Sequence, residues 1–137
     1  MADRKWTNLD CISYLFSAFA AYTDKELSDD EIRVIVTEMK KYISDKDSDV
    51  HIESLTKTLG WFKEDLENDI EKGLSGKEST VVREFISIAI DLKESFDVKI
   101  CQMIHDDLVR IGKADGNYDK VEQVWAETFA KITGCKH

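Results

Sequence analysis

The sequence predicts an all-α fold of about seven helices. Three observations predict it. Proline is absent from all 137 residues, although average usage of about 5% would supply several. Apolar residues recur at three- and four-residue steps along most of the chain. The glycines fall mainly where those periodic stretches stop, at Gly60, Gly73, Gly76, Gly116 and Gly134. Proline removes an amide donor and breaks helix interiors, so its absence suits a mostly helical chain.

The first helix is expected from about Arg4 to Tyr22. Trp6, Leu9, Ile12, Leu15, Phe16 and Phe19 form its apolar stripe. The second starts at Ser28, because Ser28-Asp29-Asp30-Glu31 reads as a capping box. Leu27 and Ile32 are spaced for a hydrophobic staple, and Ile32, Ile35, Val36, Met39 and Ile43 face the core. The charged stretch Ser44 to Asp49 is a loop that caps the next helix. Two shorter helices are expected from about Val50 to Leu59 and from Trp61 to Lys72, separated at Gly60. Ser75-Gly76-Lys77-Glu78 reads as a second box opening a long helix, with Val81, Val82, Phe85, Ile88, Ala89, Leu92 and Phe96 buried. A sixth helix covers about Val98 to Ala114, with Gly112 inside it. The last runs from about Lys120 to Thr133, with Asp119-Lys120-Val121-Glu122 as its box and Gly134 as its stop. Nothing reads as a strand. No stretch rich in Pro, Gly or Ser marks a boundary, so residues 1–137 are expected to form one domain.

Composition narrows the function classes. With 42% hydrophobic and 34% charged residues the chain reads as a soluble globular protein. Its 28 acidic against 19 basic residues give a net charge of −9. That charge repels nucleic acid and anionic lipid and attracts cations and basic protein surfaces. No apolar run reaches the roughly 20 residues of a membrane span. The N-terminus lacks a signal-like apolar stretch, and a cytoplasmic location is the default expectation. Three cysteines without CxxC spacing argue against a disulfide framework or a zinc knuckle. Cys11 and Cys101 lie among apolar residues and read as small core side chains.

Two segments repeat without a gap: Ala21 to Glu31 and Gly112 to Glu122. In each, an apolar helix ends in an Asp (Asp24, Asp115). A two-residue turn follows, then a large apolar residue (Leu27, Tyr118), a cap (Ser28, Asp119), and a Glu three later (Glu31, Glu122). One hairpin cannot bury its own apolar face, so the two copies are expected to pair about a pseudo-twofold axis. Glu31, Glu122, Ser28 and Asp119 have ready capping roles. Asp24 and Asp115 instead follow the C-terminal end of a helix, where the dipole disfavours negative charge. Two offsets are open: capping a turn amide, or accepting a cation.

These motifs resemble the TerB-like family, named for tellurite resistance. The resemblance rests on an Ala-Asp-Gly turn, an apolar residue two positions later and a Glu seven after the Asp. The second copy has all of these in Ala114-Asp115-Gly116, Tyr118 and Glu122. The first keeps Asp24, Leu27 and Glu31 but has Thr23 for the alanine and Lys25 for the glycine. The resemblance implies a helical bundle with two symmetry-related motifs, acidic residues that bind a metal ion, and an association with stress response. Asp24, Glu31, Asp115 and Glu122 are the candidate ligands, with Glu26 and Asp119 as further oxygen donors. Such an all-oxygen set suits calcium or magnesium, whereas zinc prefers His or Cys. Lys25 places a positive charge beside the first copy, so the second is the better candidate.

Two other readings stand beside this non-enzymatic one. The acidic loops can be purely caps in a metal-free protein-interaction module whose partner has a basic surface. Alternatively His51, His105 and Asp106, with Asp115 or Asp119, are ligand types used by helical metal-dependent phosphohydrolases. Asp45-Lys46-Asp47-Ser48-Asp49 opens like an EF-hand loop, but Val50 and Thr56 stand where the loop needs Gly and Glu.

Overall fold

In the computed structural model, residues 4–22, 26–114 and 118–137 are described. They form six α-helices: α1 (Asn8–Ala21), α2 (Asp29–Met39), α3 (Ser48–Lys72), α4 (Thr80–Ser95), α5 (Val98–Ala114) and α6 (Lys120–Thr133). A 3₁₀ turn at Gly76–Glu78 precedes α4. The all-α expectation holds, and no strand occurs among the described residues.

The centre of the bundle is α1. Every residue from Leu9 to Ala21 is buried, because α2, α3, α4 and α5 all pack on it. The single apolar stripe expected for α1 therefore understates it; a helix apolar on nearly all sides is one surrounded by others. Its few polar residues face α3, where small side chains permit close approach. Ser54 Oγ donates to Asp10 Oδ1 at 2.6 Å and lies 2.9 Å from Ser13 Oγ, and Ser17 Oγ is 3.5 Å from Thr58 Oγ1. Lys57 Nζ reaches Asp10 Oδ2 at 2.9 Å.

Three boundaries differ from the sequence reading. Residues expected as two helices form the single 25-residue α3, continuous through Gly60, and this reduces seven helices to six. The buried positions His51, Ser54, Leu55, Thr58, Phe62, Asp65 and Asp69 keep one helical stripe across the glycine. A glycine costs about 1 kcal/mol in a helix interior and does not by itself end one. The long helix α4 begins at Thr80, not at the Ser75 box. Ser75 makes no side-chain cap, whereas Ser79 Oγ accepts from the Val82 amide at 3.2 Å. The first helix starts at Asn8, capped by Thr7. Thr7 Oγ1 accepts from the Asp10 amide at 3.1 Å, and Asp10 Oδ2 from the Thr7 amide at 3.2 Å.

Arg4 then ties the N-terminal segment down. Its guanidinium donates to Asp65 and Glu64 on α3 and to Glu84 on α4, and it lies over the Trp61 ring. Trp6 packs on Trp61 with ring centroids 4.6 Å apart. The aromatic interior continues through Tyr14, Phe62, Phe85 and Trp125.

Candidate functional site

The two hairpins keep the local chemistry expected of them. Ser28 Oγ accepts from the Glu31 amide at 3.1 Å, and Glu31 Oε1 from the Ser28 amide at 3.0 Å. In the second copy Asp119 Oδ1 accepts from the Val121 amide at 2.7 Å, and Glu122 Oε1 from the Asp119 amide at 3.3 Å. Glu31, Asp119 and Glu122 thus each hold a helix start. The copies differ in depth: Glu31 is half-buried, whereas Glu122 is buried. Glu26 is exposed. Asp24 and Asp115, together with Thr23, Lys25, Gly116 and Asn117, lie outside the described residues.

The hairpins meet in space. Tyr22, at the end of α1, packs edge-on against Trp125 of α6 with ring centroids 5.0 Å apart. Burial raises the Tyr22 hydroxyl above its ordinary value, and the nearby charges of Asp119 and Glu122 raise it further. Reciprocally, Asp30, Glu31, Val34 and Ile35 of α2 share a cavity of about 270 Å³ with Arg110, Ile111 and Ala114 of α5. The end of each repeat's first helix therefore lies near the start of the other's second helix. Gly112 explains the close fit within the second copy. A Cβ at that position would stand 2.9 Å from Tyr118 Cδ1 and 3.2 Å from Glu122 Oε2.

Beside this junction runs an apolar groove of about 320 Å³ between the end of α3 and the starts of α4 and α6. Leu66, Ile70, Leu74, Val82, Val121 and Val124 line it, and Tyr22 and Trp125 form part of its wall. Ile70 is 64% exposed, Val124 50% and Val121 38%. On α3 the exposed Glu67 stands one turn before Ile70, with Glu71 next to it. Periodicity did not single out these aliphatics as exposed. Val121 and Val124 sit at helical spacing and read as part of the α6 stripe, and only the packing leaves them open.

A charged cluster joins α5 to the turn that follows α2. Asp107 accepts from Tyr42 Oη and Arg110, and pairs with Lys41 Nζ at 2.8 Å. Burial alone would raise the Asp107 carboxyl. Bonds from Lys41, Tyr42 and Arg110 outweigh burial and hold it below its ordinary value. Burial also pushes the Cys11 thiol up to about 12 and the Cys101 thiol to about 11, so both are core side chains without thiolate character.

The histidines expected for a phosphohydrolase are held by different partners. His51 is fully buried, with Nδ1 2.9 Å from Asp47 O and Nε2 2.8 Å from Ile43 O. Both ring nitrogens face backbone carbonyls, which leaves no lone pair directed at an ion. His105 instead contacts Asp106 and His137. Among the described residues, no group of three or more His, Cys, Asp or Glu is arranged to hold a metal ion. Asp47 caps α3 by accepting from the Val50 amide at 3.2 Å, as expected for that loop.

No helix among the described residues is long and apolar enough to cross a membrane. Compared with protein families, curated proteins and solved structures, the chain matches none.

Proposed function

We propose that this protein is a non-enzymatic interaction module that docks a basic, apolar segment of another protein. The observation that carries this reading is the apolar groove beside the paired acidic hairpins, with Ile70, Val121 and Val124 exposed along it. Scattered exposed aliphatics are ordinary, but a contiguous apolar groove next to charged turns is typical of docking surfaces. The occupant's chemistry follows from charge complementarity. Aliphatic side chains fill the groove, while Lys or Arg face Glu67, Glu71, Asp119 and the net charge of −9. The test is fluorescence anisotropy with a labelled amphipathic Leu/Lys helical peptide. Wild type should bind it, more weakly at higher salt, and Val124→Asp should lower affinity by about tenfold or more, a typical loss at a central apolar contact. Equal affinity in the variant would sink the reading.

A second reading is favoured by the proximity of Tyr22 to Asp119 and Glu122: the acidic turns of a TerB-like pair share one hard cation, calcium or magnesium, in a stress-response protein. Capping uses Oε1 of Glu31 and leaves it a second oxygen. Calorimetric titration with both ions tests it. Heat that disappears in Asp115→Ala supports a shared site, and absence of heat in wild type removes it.

A further inference from the structure

His105 and His137 form a built cluster that neither reading uses. His105, on α5, is 4% exposed, and its ring is fixed from both sides. Nδ1 donates to Asp106 Oδ1 at 3.0 Å, which leaves the lone pair on Nε2. Nε2 faces His137 Nδ1 at 3.1 Å. Gln102 holds His137 in place through its neighbour. The Gln102 Nε2 donates to Lys136 O at 2.9 Å, and its Oε1 accepts from Lys136 N at 2.8 Å.

That geometry has two uses. As it stands, His137 Nδ1 donates a hydrogen bond to His105 Nε2. The same spacing is also one edge of a tetrahedral metal site. Nitrogen donors about 2.0–2.1 Å from zinc at the tetrahedral angle stand about 3.3 Å apart. A metal-ligating histidine almost always donates its other N–H to a carboxylate or carbonyl, which fixes its tautomer; Asp106 does this for His105. The His137 side chain is exposed. For both nitrogens to face one ion, the exposed His137 ring must turn out of its present hydrogen bond to His105, with the His137 proton moving to Nε2.

We propose that His105 Nε2 and His137 Nδ1 form a two-imidazole site for a divalent transition-metal ion of zinc type. Imidazole suits zinc, copper and nickel, and discriminates against calcium and magnesium. Two protein ligands make an open, exchangeable site, since structural zinc sites close with four. The pair borders an open groove of about 1220 Å³ that Lys113 and Lys136 also line. The remaining coordination positions therefore take water or an anionic group.

The experiment is titration of tag-free protein with zinc chloride, followed by calorimetry and by ¹⁵N chemical shifts of the imidazoles. The expected result is one-to-one binding that shifts His105 and His137 but not His51, with no response to magnesium. His137→Ala should abolish it, and the substitution removes only an exposed side chain. Asp106→Asn should weaken it by about tenfold, as outer-shell substitutions do. Cys135→Ser should leave it unchanged. The proposal is overturned if wild type binds no zinc, if His137→Ala binds as tightly, or if Cys135→Ser abolishes binding and so identifies a thiolate site.

Discussion

At the scale of the residue, two glycines in helix interiors have opposite meanings. Gly60 is exposed in α3, and a Cβ there meets nothing within 4 Å. Gly60→Ala should stabilise the protein by roughly 0.5–1 kcal/mol, the difference in helix propensity. Gly112 has the same propensity cost, but a Cβ there would stand 2.9 Å from the Tyr118 ring. Overpacking at such a contact costs about 1–3 kcal/mol, so Gly112→Ala should be net destabilising by about 1 kcal/mol. Urea unfolding of both variants checks the contrast. Two stabilised proteins would mean that Tyr118 yields freely and that the second hairpin is not tightly packed.

At the scale of the element, helix starts are set by where the chain is pinned. The box pattern occurs at Ser75 and not at Ser79, where Val82 holds the third position, yet only Ser79 caps. The reason is Asp69 at the end of α3. Its carboxylate accepts from Ser79 Oγ and Thr80 N, both at 2.6 Å, and from Val81 N at 3.2 Å. One helix thus supplies the negative charge at the next helix's N-terminus, where the dipole favours it. Ser79→Ala should cost about 1 kcal/mol or more, while Ser75→Ala should be close to neutral, on the usual worth of a cap. Asp119→Ala should likewise cost about 1 kcal/mol. If that variant's stability gap widens when calcium is added to wild type, Asp119 is a cation donor as well as a cap. Thermal melts with and without the ion measure this.

At the scale of the whole molecule, stability should fall in acid. The carboxyls of Asp10, Asp69 and Asp107 are all held below the ordinary 3.8. Burial pushes each up, and stronger hydrogen bonds pull each down: from Ser54, Lys57 and the Thr7 amide for Asp10, and from Ser79, Thr80 and Val81 for Asp69. A depressed folded pKa means that the unfolded chain takes up its proton first as pH falls. The stabilisation is complete above 3.8 and is lost as pH drops through the lower folded values. Glu84, raised by burial and by Asp65, acts in the opposite sense, one group against three. The melting temperature should therefore hold from neutral pH to about pH 5 and fall below about pH 4, and Asp10→Asn should flatten that fall. A melting temperature unchanged down to about pH 2.5 would contradict the assignment.

The sequence by itself determined the helical class, most of the helix spans, the glycine stops at Gly73 and Gly134, and the capping boxes at Ser28 and Asp119. All of these depend on neighbours within one turn, and so are written locally. It also held the acidic repeat, with Glu31, Asp119 and Glu122 in recognisable roles. A local signal was present at Thr7 and Asp10 too, with Asp in the box position where Glu is usual. The tertiary structure decided the rest. It carried α3 through Gly60, because the buried stripe continues on both sides. It chose Ser79 over Ser75, because Asp69 arrives from another helix. It exposed Val124 beside the buried Trp125, and it brought His137 onto His105 and Tyr22 towards Asp119. Each of these outcomes depends on which distant surfaces meet, and residue spacing along one chain does not encode that directly.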